Sequence, residues 1–223
     1  MSVTLHPRGT DWLTGEEIAP WQLVPVSIVV DIDHSTRIDP GIRLLGGPGQ
    51  GRHLCGPAFT VECHPPDFGA VVHALDAAMP GDVLVIAANG NADTAMIGEI
   101  LGGHLRSKGL AGLVCDGAVR DTSTLANWSD FPVFSKHVCP NGPHSAESGE
   151  LLVPVSFGGR MIQPGELILG DDDGLAIVSP EMVRTGYEAV VERLELEKSW
   201  IEGLAKGGSA VDVFGVKPPE KRD

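Results

Sequence analysis

The chain has 223 residues, 42% of them hydrophobic and 5% aromatic, with 29 glycines and a formal net charge of −14. That length suits one domain with a sizeable core, and the apolar content excludes a disordered chain. The acidic balance repels phosphate backbones and anionic membrane surfaces, so neither nucleic acid nor a membrane is expected as a partner. No apolar run approaches the ~20 residues that span a bilayer. Residues Met1 to Asp11 lack the basic-then-apolar order of a signal peptide. Cys55, Cys63, Cys115 and Cys139 form no CxxC pair, so reduced thiols and a cytoplasmic location are expected.

Thr10 to Trp21 predicts a short helix, with Thr14 capping ahead of Glu16 and Glu17. Val24 to Ile32 reads two ways: its β-branched residues favour a strand, while Pro25 and the lack of alternation count against one. Arg37 to Gly56 is punctuated by glycine and proline and predicts a loop. Ala58 to Cys63 predicts a strand, and Phe68 to Met79 a helix ended by Pro80-Gly81. Asp82 to Ala88 is a nearly continuous apolar run, as in a strand covered on both faces. After a turn at Asn89-Gly90-Asn91, a helix is predicted from Ala92 to Lys108, stopped by Gly109. Gly112 to Cys115 and Phe131 to Ser135 read as strands, the first ended by Asp116-Gly117. A hairpin is predicted from Glu166–Leu169 to Leu175–Val178, joined through Asp171-Asp172-Asp173-Gly174. From Glu181 a single helix is predicted to Lys206, with Val183, Tyr187, Val190, Val191, Leu194, Ile201 and Leu204 on one face. Leu196 and Trp200 lie off that stripe and suggest a contact with another subunit, although isolated exposed apolar residues are ordinary. The final KPPEKRD reads as a frayed tail.

The unit from Asp82 to Asp121 carries the chemistry. A helix over Glu99 to Lys108 rises ~15 Å, and about five residues of strand cover the return. Glu99 and the Arg120-Asp121 pair therefore meet at one sheet edge, where open α/β sheets bind ligands. Gly98 permits close backbone approach, and the amides of Glu99, Ile100 and Leu101 are positioned for an anion. Arg120 offers a planar fork to a carboxylate or enolate oxygen. Asp121 is a hard oxygen ligand suited to Mg²⁺ or Mn²⁺, and Glu99 can hold water or move a proton. Plainer readings stay open: a solvated ion pair or helix cap for Arg120-Asp121, and a helix-dipole partner for Glu99.

The segment GEILGGHLRSKGLAGLVCDGAVRD (Gly98 to Asp121) resembles the signature of the RraA-like family. That family includes 4-hydroxy-4-methyl-2-oxoglutarate aldolases and the regulator of ribonuclease activity A. GPAFTV (Gly56 to Val61), PGDVLVI (Pro80 to Ile86), FPVF (Phe131 to Phe134), VPVSFGG (Val153 to Gly159) and PGELILGDDDGLAIV (Pro164 to Val178) are similar to family segments in the same order. The likeness spans about residues 55–212.

The resemblance implies a swivelling β/β/α domain occupying the whole chain, with a helical arm over 10–54 and a tail over 213–223. It implies a homotrimer or a dimer of trimers with sites between subunits. It also implies a divalent-metal lyase, an aldolase of the class II type that can decarboxylate oxaloacetate. On that pattern Arg120 grips the pyruvyl group, Asp121 binds the metal, Glu99 acts through water, and the backbone of Gly98 to Leu101 cradles a carboxylate. Glu197 from a neighbour's C-terminal helix, or Glu195 in its place, completes the metal's water shell. The resemblance further makes 26–35 helical. One position departs: where the aldolase motif has Asp or Glu, this chain has Thr124. The alternative is therefore a non-catalytic protein-binding ring like the ribonuclease regulator.

Other residue groups point elsewhere. Asp171 to Asp173 reads as a hairpin turn. His137, Cys139 and His144 match no zinc spacing. His64 follows a strand and is a candidate for the cleft mouth, although a loop histidine needs no function, while His73 and His104 lie on helices as packing or surface groups. Glycines 46, 47, 49 and 51 lack the GK[ST] ending of a phosphate loop. The motif offers no lysine for a Schiff base: Lys108 falls at the far end of the helix, and Lys136 is uncommitted.

Overall fold

The computed structural model describes residues 2–49 and 51–220. In chain order these form β1 (Val3–Leu5), α1 (Gly15–Ile18), α2 (Val26–Ile32), β2 (Arg43–Leu44), β3 (Leu54–Glu62), α3 (Gly69–Ala77), β4 (Val83–Ala87), β5 (Ala95–Ile97) and α4 (Glu99–Ser107). Then follow β6 (Gly112–Val119), α5 (Thr122–Leu125), β7 (Val133–Val138), β8 (Gly149–Leu151), β9 (Val155–Phe157), β10 (Arg160–Ile162), β11 (Leu167–Asp171), β12 (Gly174–Val178), α6 (Pro180–Thr185), α7 (Tyr187–Ala205) and α8 (Ala210–Val213).

The main sheet runs β1-β8-β3-β4-β6-β7-β2, and its centre, β3-β4-β6-β7, is parallel. The first half of β3 also pairs antiparallel with β11, which carries β12. Period-two alternation sorts the side chains into layers. In β4, Leu84 and Ile86 face a core shared with Val71 and Ala74 of α3 and Leu105 of α4. Val83 and Val85 face the opposite way, onto Ile168 and Ile177 of the hairpin. Leu167, Leu169, Ala176 and Val178 then point outward, onto Trp21, Val26, Val29, Val183 and Val190 of the terminal helices. The result is the expected β/β/α arrangement, with a further helical layer built by both ends of the chain.

Several sequence expectations change in detail. Val26–Ile32 is helical rather than extended. Its β-branched residues pack on the hairpin, and the Val26 amide, which starts the helix, donates to Asp171 Oδ2 at 2.8 Å. The stretch predicted as one helix from Ala92 is a turn, the three-residue β5, and α4 only from Glu99. Strand β6 does not stop at Asp116-Gly117 but passes through a bulge there and continues to Val119. The buried Asp116 accepts the Ala88 amide at 2.6 Å; burial raises its pKa. The helix predicted from Glu181 breaks at Gly186 into α6 and α7. The capping at Thr14 is as expected, with Glu17 reaching back to the Thr14 amide at 2.7 Å. The frayed tail expected at residues 217–223 lies partly outside the described residues. No helix among the described residues is long and apolar enough to cross a membrane.

Candidate active site

Two adjacent parallel strands set the site. β5 pairs with the end of β6, Ala95 with Ala118 and Ile97 with Val119, and the Arg120 amide donates to the Ile97 carbonyl at 3.0 Å. Both strands end at the same edge. The chain leaving β5 enters α4 through Gly98-Glu99, and the chain leaving β6 presents Arg120-Asp121 beside it.

Asp121 sits in the left-handed region (φ 55°, ψ 36°), a conformation that Asp tolerates better than most residues. Its Oδ2 accepts the Glu99 amide at 3.1 Å, which caps the N-terminus of α4 with a negative charge. The helix-cap reading of this residue thus holds structurally, and the Glu99 amide is spent on Asp121. The Ile100 and Leu101 amides belong to the same first turn. Oδ1 of Asp121 makes no hydrogen bond among the described residues, and the Arg120 Nε lies 3.7 Å from Oδ2.

Gly98 is required by this packing. A Cβ there would stand 2.4 Å from Asp121 Oδ2 and 2.8 Å from Arg120 Cγ. On the other side the Arg120 guanidinium lies against Gly142, where a Cβ would fall 2.5 Å from Nη1. Gly142 was not singled out by the sequence, since a loop glycine carries no local sign of a neighbour 22 positions away. Nη1 and Nη2 make no hydrogen bond among the described residues, so the fork is open to an anion. Thr124, in α5, donates from Oγ1 to Glu99 Oε2 at 2.9 Å. A small cleft of about 40 Å³ lies over this cluster, walled by Phe68, Met96, Ile100, Leu101 and Pro143.

Among the described residues no three His, Cys, Asp or Glu side chains gather as a ready-made metal cage. Asp121 and Glu99 still suit Mg²⁺, which is commonly held by one or two carboxylates together with waters and substrate oxygens. Glu197, expected to act from a neighbouring copy, lies apart from this cluster within its own chain. It lies on α7, 3.4 Å from Arg193 Nε, and α7 packs chiefly on α2, α6 and α8.

The remaining candidates have structural partners. Asp171 Oδ1 accepts the Asp173 amide at 2.9 Å within the hairpin turn, and Asp172 Oδ2 accepts the Gly49 amide at 2.6 Å. Cys139 Sγ contacts the Asp93 carbonyl at 3.2 Å. His64 lines a separate cleft with Glu62, Asn89 and Ser156. Lys108 Nζ donates to the Leu75 and Asp76 carbonyls, and Lys136 pairs with Asp39 at 2.9 Å. All four cysteines are free; burial pushes Cys55 up to about 12.

Comparison with known proteins identifies the lineage. The family model RraA-like (Aldolase/RraA) matches residues 27–177. The chain belongs to the RraA-like family. A Halalkalibacterium halodurans protein, named provisionally as a 4-hydroxy-4-methyl-2-oxoglutarate aldolase, is 35% identical over 162 residues, covering 72% of this chain and 75% of that protein. Streptomyces coelicolor RraAS2, described as an unusual member of the RNase ES inhibitor RraA protein family, superposes with a TM-score of 0.70 at 26% identity, covering 86% of this chain and 98% of that one. An uncharacterised Pseudomonas syringae protein shares the fold, with a TM-score of 0.75 at 24% identity over 91% of this chain and 98% of its own. The RraA-like match begins within α2 and ends on β12. It takes in Gly98, Glu99, Arg120, Asp121 and Thr124 but not α7, so Glu195 and Glu197 lie outside it.

Proposed function

We propose that this RraA-like chain is a divalent-metal-dependent lyase that breaks the C–C bond beside a pyruvyl group and releases pyruvate. The candidate reactions are aldol cleavage of 4-hydroxy-4-methyl-2-oxoglutarate and decarboxylation of oxaloacetate. The observation that carries the reading is the open Arg120 fork, seated between Gly98 and Gly142 and beside the Asp121 carboxylate. The name of the Halalkalibacterium relative supports the same reaction class.

In this account Arg120 binds the oxygen end of the 2-oxo acid and takes up charge as the enolate forms. Gly98 keeps the backbone low enough for that approach, and the Ile100 and Leu101 amides face the substrate carboxylate. Asp121, with Glu99 beyond a water, would hold Mg²⁺ or Mn²⁺. Such an ion supplies Lewis-acid polarisation of the keto oxygen when bound. Glu99, fixed by Thr124, takes the proton of a substrate hydroxyl through water and returns one to the enolate carbon. Oxaloacetate needs no such base, because CO₂ departs unaided.

The assembly in this reading is a homotrimer or a dimer of trimers acting in the cytoplasm. Glu197, or Glu195, would reach the metal's waters from a neighbouring copy. Exposed Leu196, Ile201 and Leu204 on α7 support an interface there. The second reading, a non-catalytic ring that binds a ribonuclease, draws on the name of the Streptomyces neighbour and on the neutral Thr124.

The test is pyruvate release from both substrates with Mg²⁺ or Mn²⁺, with and without chelator. Chelator-sensitive pyruvate is expected from the lyase. No pyruvate above the protein-free blank would favour the binding ring.

A further inference from the structure

We propose that Asp67 is a positioning residue for Arg120: it pins the loop whose Gly142 forms the seat of the guanidinium. This rests on the pyruvyl-binding reading above and adds to that site a residue that touches neither substrate nor metal.

Residues 139–148 join β7 to β8 with no helix or strand of their own. Without a ladder of backbone bonds, such a loop takes its position from what fastens it. One fastening lies before Gly142. The Ala95 amide donates to the Asn141 carbonyl at 2.9 Å, and Asn141 Nδ2 donates to the Asp93 carbonyl at 3.2 Å. The other lies after Gly142, on Asp67. Its Oδ2 accepts the Ser145 hydroxyl and the Glu147 amide, the latter at 2.8 Å. Its Oδ1 accepts the Ser148 amide at 3.0 Å and the Gly69 amide at 2.9 Å. Backbone bonds flank the joint: the His144 amide donates to the Pro66 carbonyl at 3.1 Å, and the Phe68 amide to the Ser145 carbonyl at 2.9 Å.

Gly142 and Pro143 bridge the two fastenings. At Gly142 an added Cβ would fall 2.5 Å from Arg120 Nη1, so the loop and the guanidinium are in close contact there. Pro143 and Phe68 both wall the cleft. Asp67 therefore fixes the seat and two of the walls together. Its residue is 8% exposed, and each of its hydrogen bonds comes from a neutral donor. Bonds to a charged acceptor are roughly twice as strong as those between neutral groups, so the carboxylate is a firmer anchor than an amide would be. With that anchor loosened, the Arg120 fork loses the support that holds it ready for an anion. All of these contacts are made within one chain.

The test compares Asp67→Asn and Ser145→Ala with Thr14→Ala, which removes a helix cap in the far helical layer. The readouts are KM and kcat for oxaloacetate with Mg²⁺, and calorimetric affinity for oxalate. Asp67→Asn should raise KM about tenfold and Ser145→Ala about threefold, with kcat within about twofold of wild type and oxalate affinity falling in step with KM. Thr14→Ala loses stability without touching the loop, so its KM and oxalate affinity should match wild type. Asp67 and Gly142 act on one contact, so adding Asp67→Asn to Gly142→Ala should raise KM less than about twofold further. If Asp67→Asn does not fold, Ser145→Ala carries the test. Less active protein with KM and oxalate affinity unchanged would make Asp67 merely structural, and the lyase reading would stand. Full multiplication of the two KM effects would overturn the positioning role in the same way. If wild-type protein neither releases pyruvate nor binds oxalate, the pyruvyl site itself is wrong and the inference falls with it.

Discussion

Thr124 Oγ1 and Glu99 Oε2 are joined by a 2.9 Å hydrogen bond between the first turns of two helices. The residue that departs from the aldolase motif therefore touches the proposed proton carrier directly. A hydroxyl holds a carboxylate where an acidic side chain would repel it. Thr124→Val keeps the shape and removes the donor, so kcat for a hydroxylated substrate should fall about fivefold, equivalent to ~1 kcal/mol. Thr124→Ser should restore it. Decarboxylation of oxaloacetate, which needs no base, should change little in either variant.

Gly98→Ala tests the close approach. The new Cβ meets Asp121 Oδ2 at 2.4 Å. Asp121 cannot retreat without losing the Glu99 amide. Displacement on this scale should lower kcat/KM at least about a hundredfold. The melting temperature should move little, because the affected groups lie at the surface end of the strands.

Gly142→Ala should behave differently. Its Cβ meets only the far end of Arg120, 2.5 Å from Nη1. The guanidinium can swing aside, so the fold persists while the anion receptor is misplaced. Steady-state kinetics should show KM raised roughly tenfold with a smaller change in kcat, the pattern of lost ground-state binding.

Asp67 provides a pH signature of stability. Burial alone would raise its carboxyl, but the Ser145 hydroxyl and the amides of Glu147, Gly69 and Ser148 outweigh that and hold it well below the usual range. A folded value below the unfolded value of about 4 means that the contribution is complete above that pH and is lost as pH falls toward the folded value. Asp67→Asn should cost roughly 2–3 kcal/mol at neutral pH in urea unfolding. The gap to wild type should narrow steadily below about pH 4.

The parts of this architecture visible in sequence are those with strong local patterns. The apolar run of β4, the Asp-rich hairpin turn and the Thr14 cap were readable because each depends on neighbours in sequence. β5, β8, β9 and β10 have three residues each, too few for a period to emerge. Helix α2 was obscured because Asp171 meets its first amide from 145 positions away. At the site, the meeting of Glu99 with Arg120-Asp121 followed from the lengths of helix and strand. It holds although residues 95–97 form a strand rather than helix, because both strands end at the same edge. The Gly142 seat and the Thr124 bond are tertiary contacts and had no local sign.

The central claim is that Asp121 and Arg120 together receive a dication and a three-carbon acid. The most direct measurement is a crystal structure of the protein with Mn²⁺ and oxalate, using the manganese anomalous signal. The account predicts a peak at the Asp121 carboxylate, absent in Asp121→Asn, with oxalate on the Arg120 guanidinium. Manganese away from Asp121, or oxalate bound without Arg120, would contradict it.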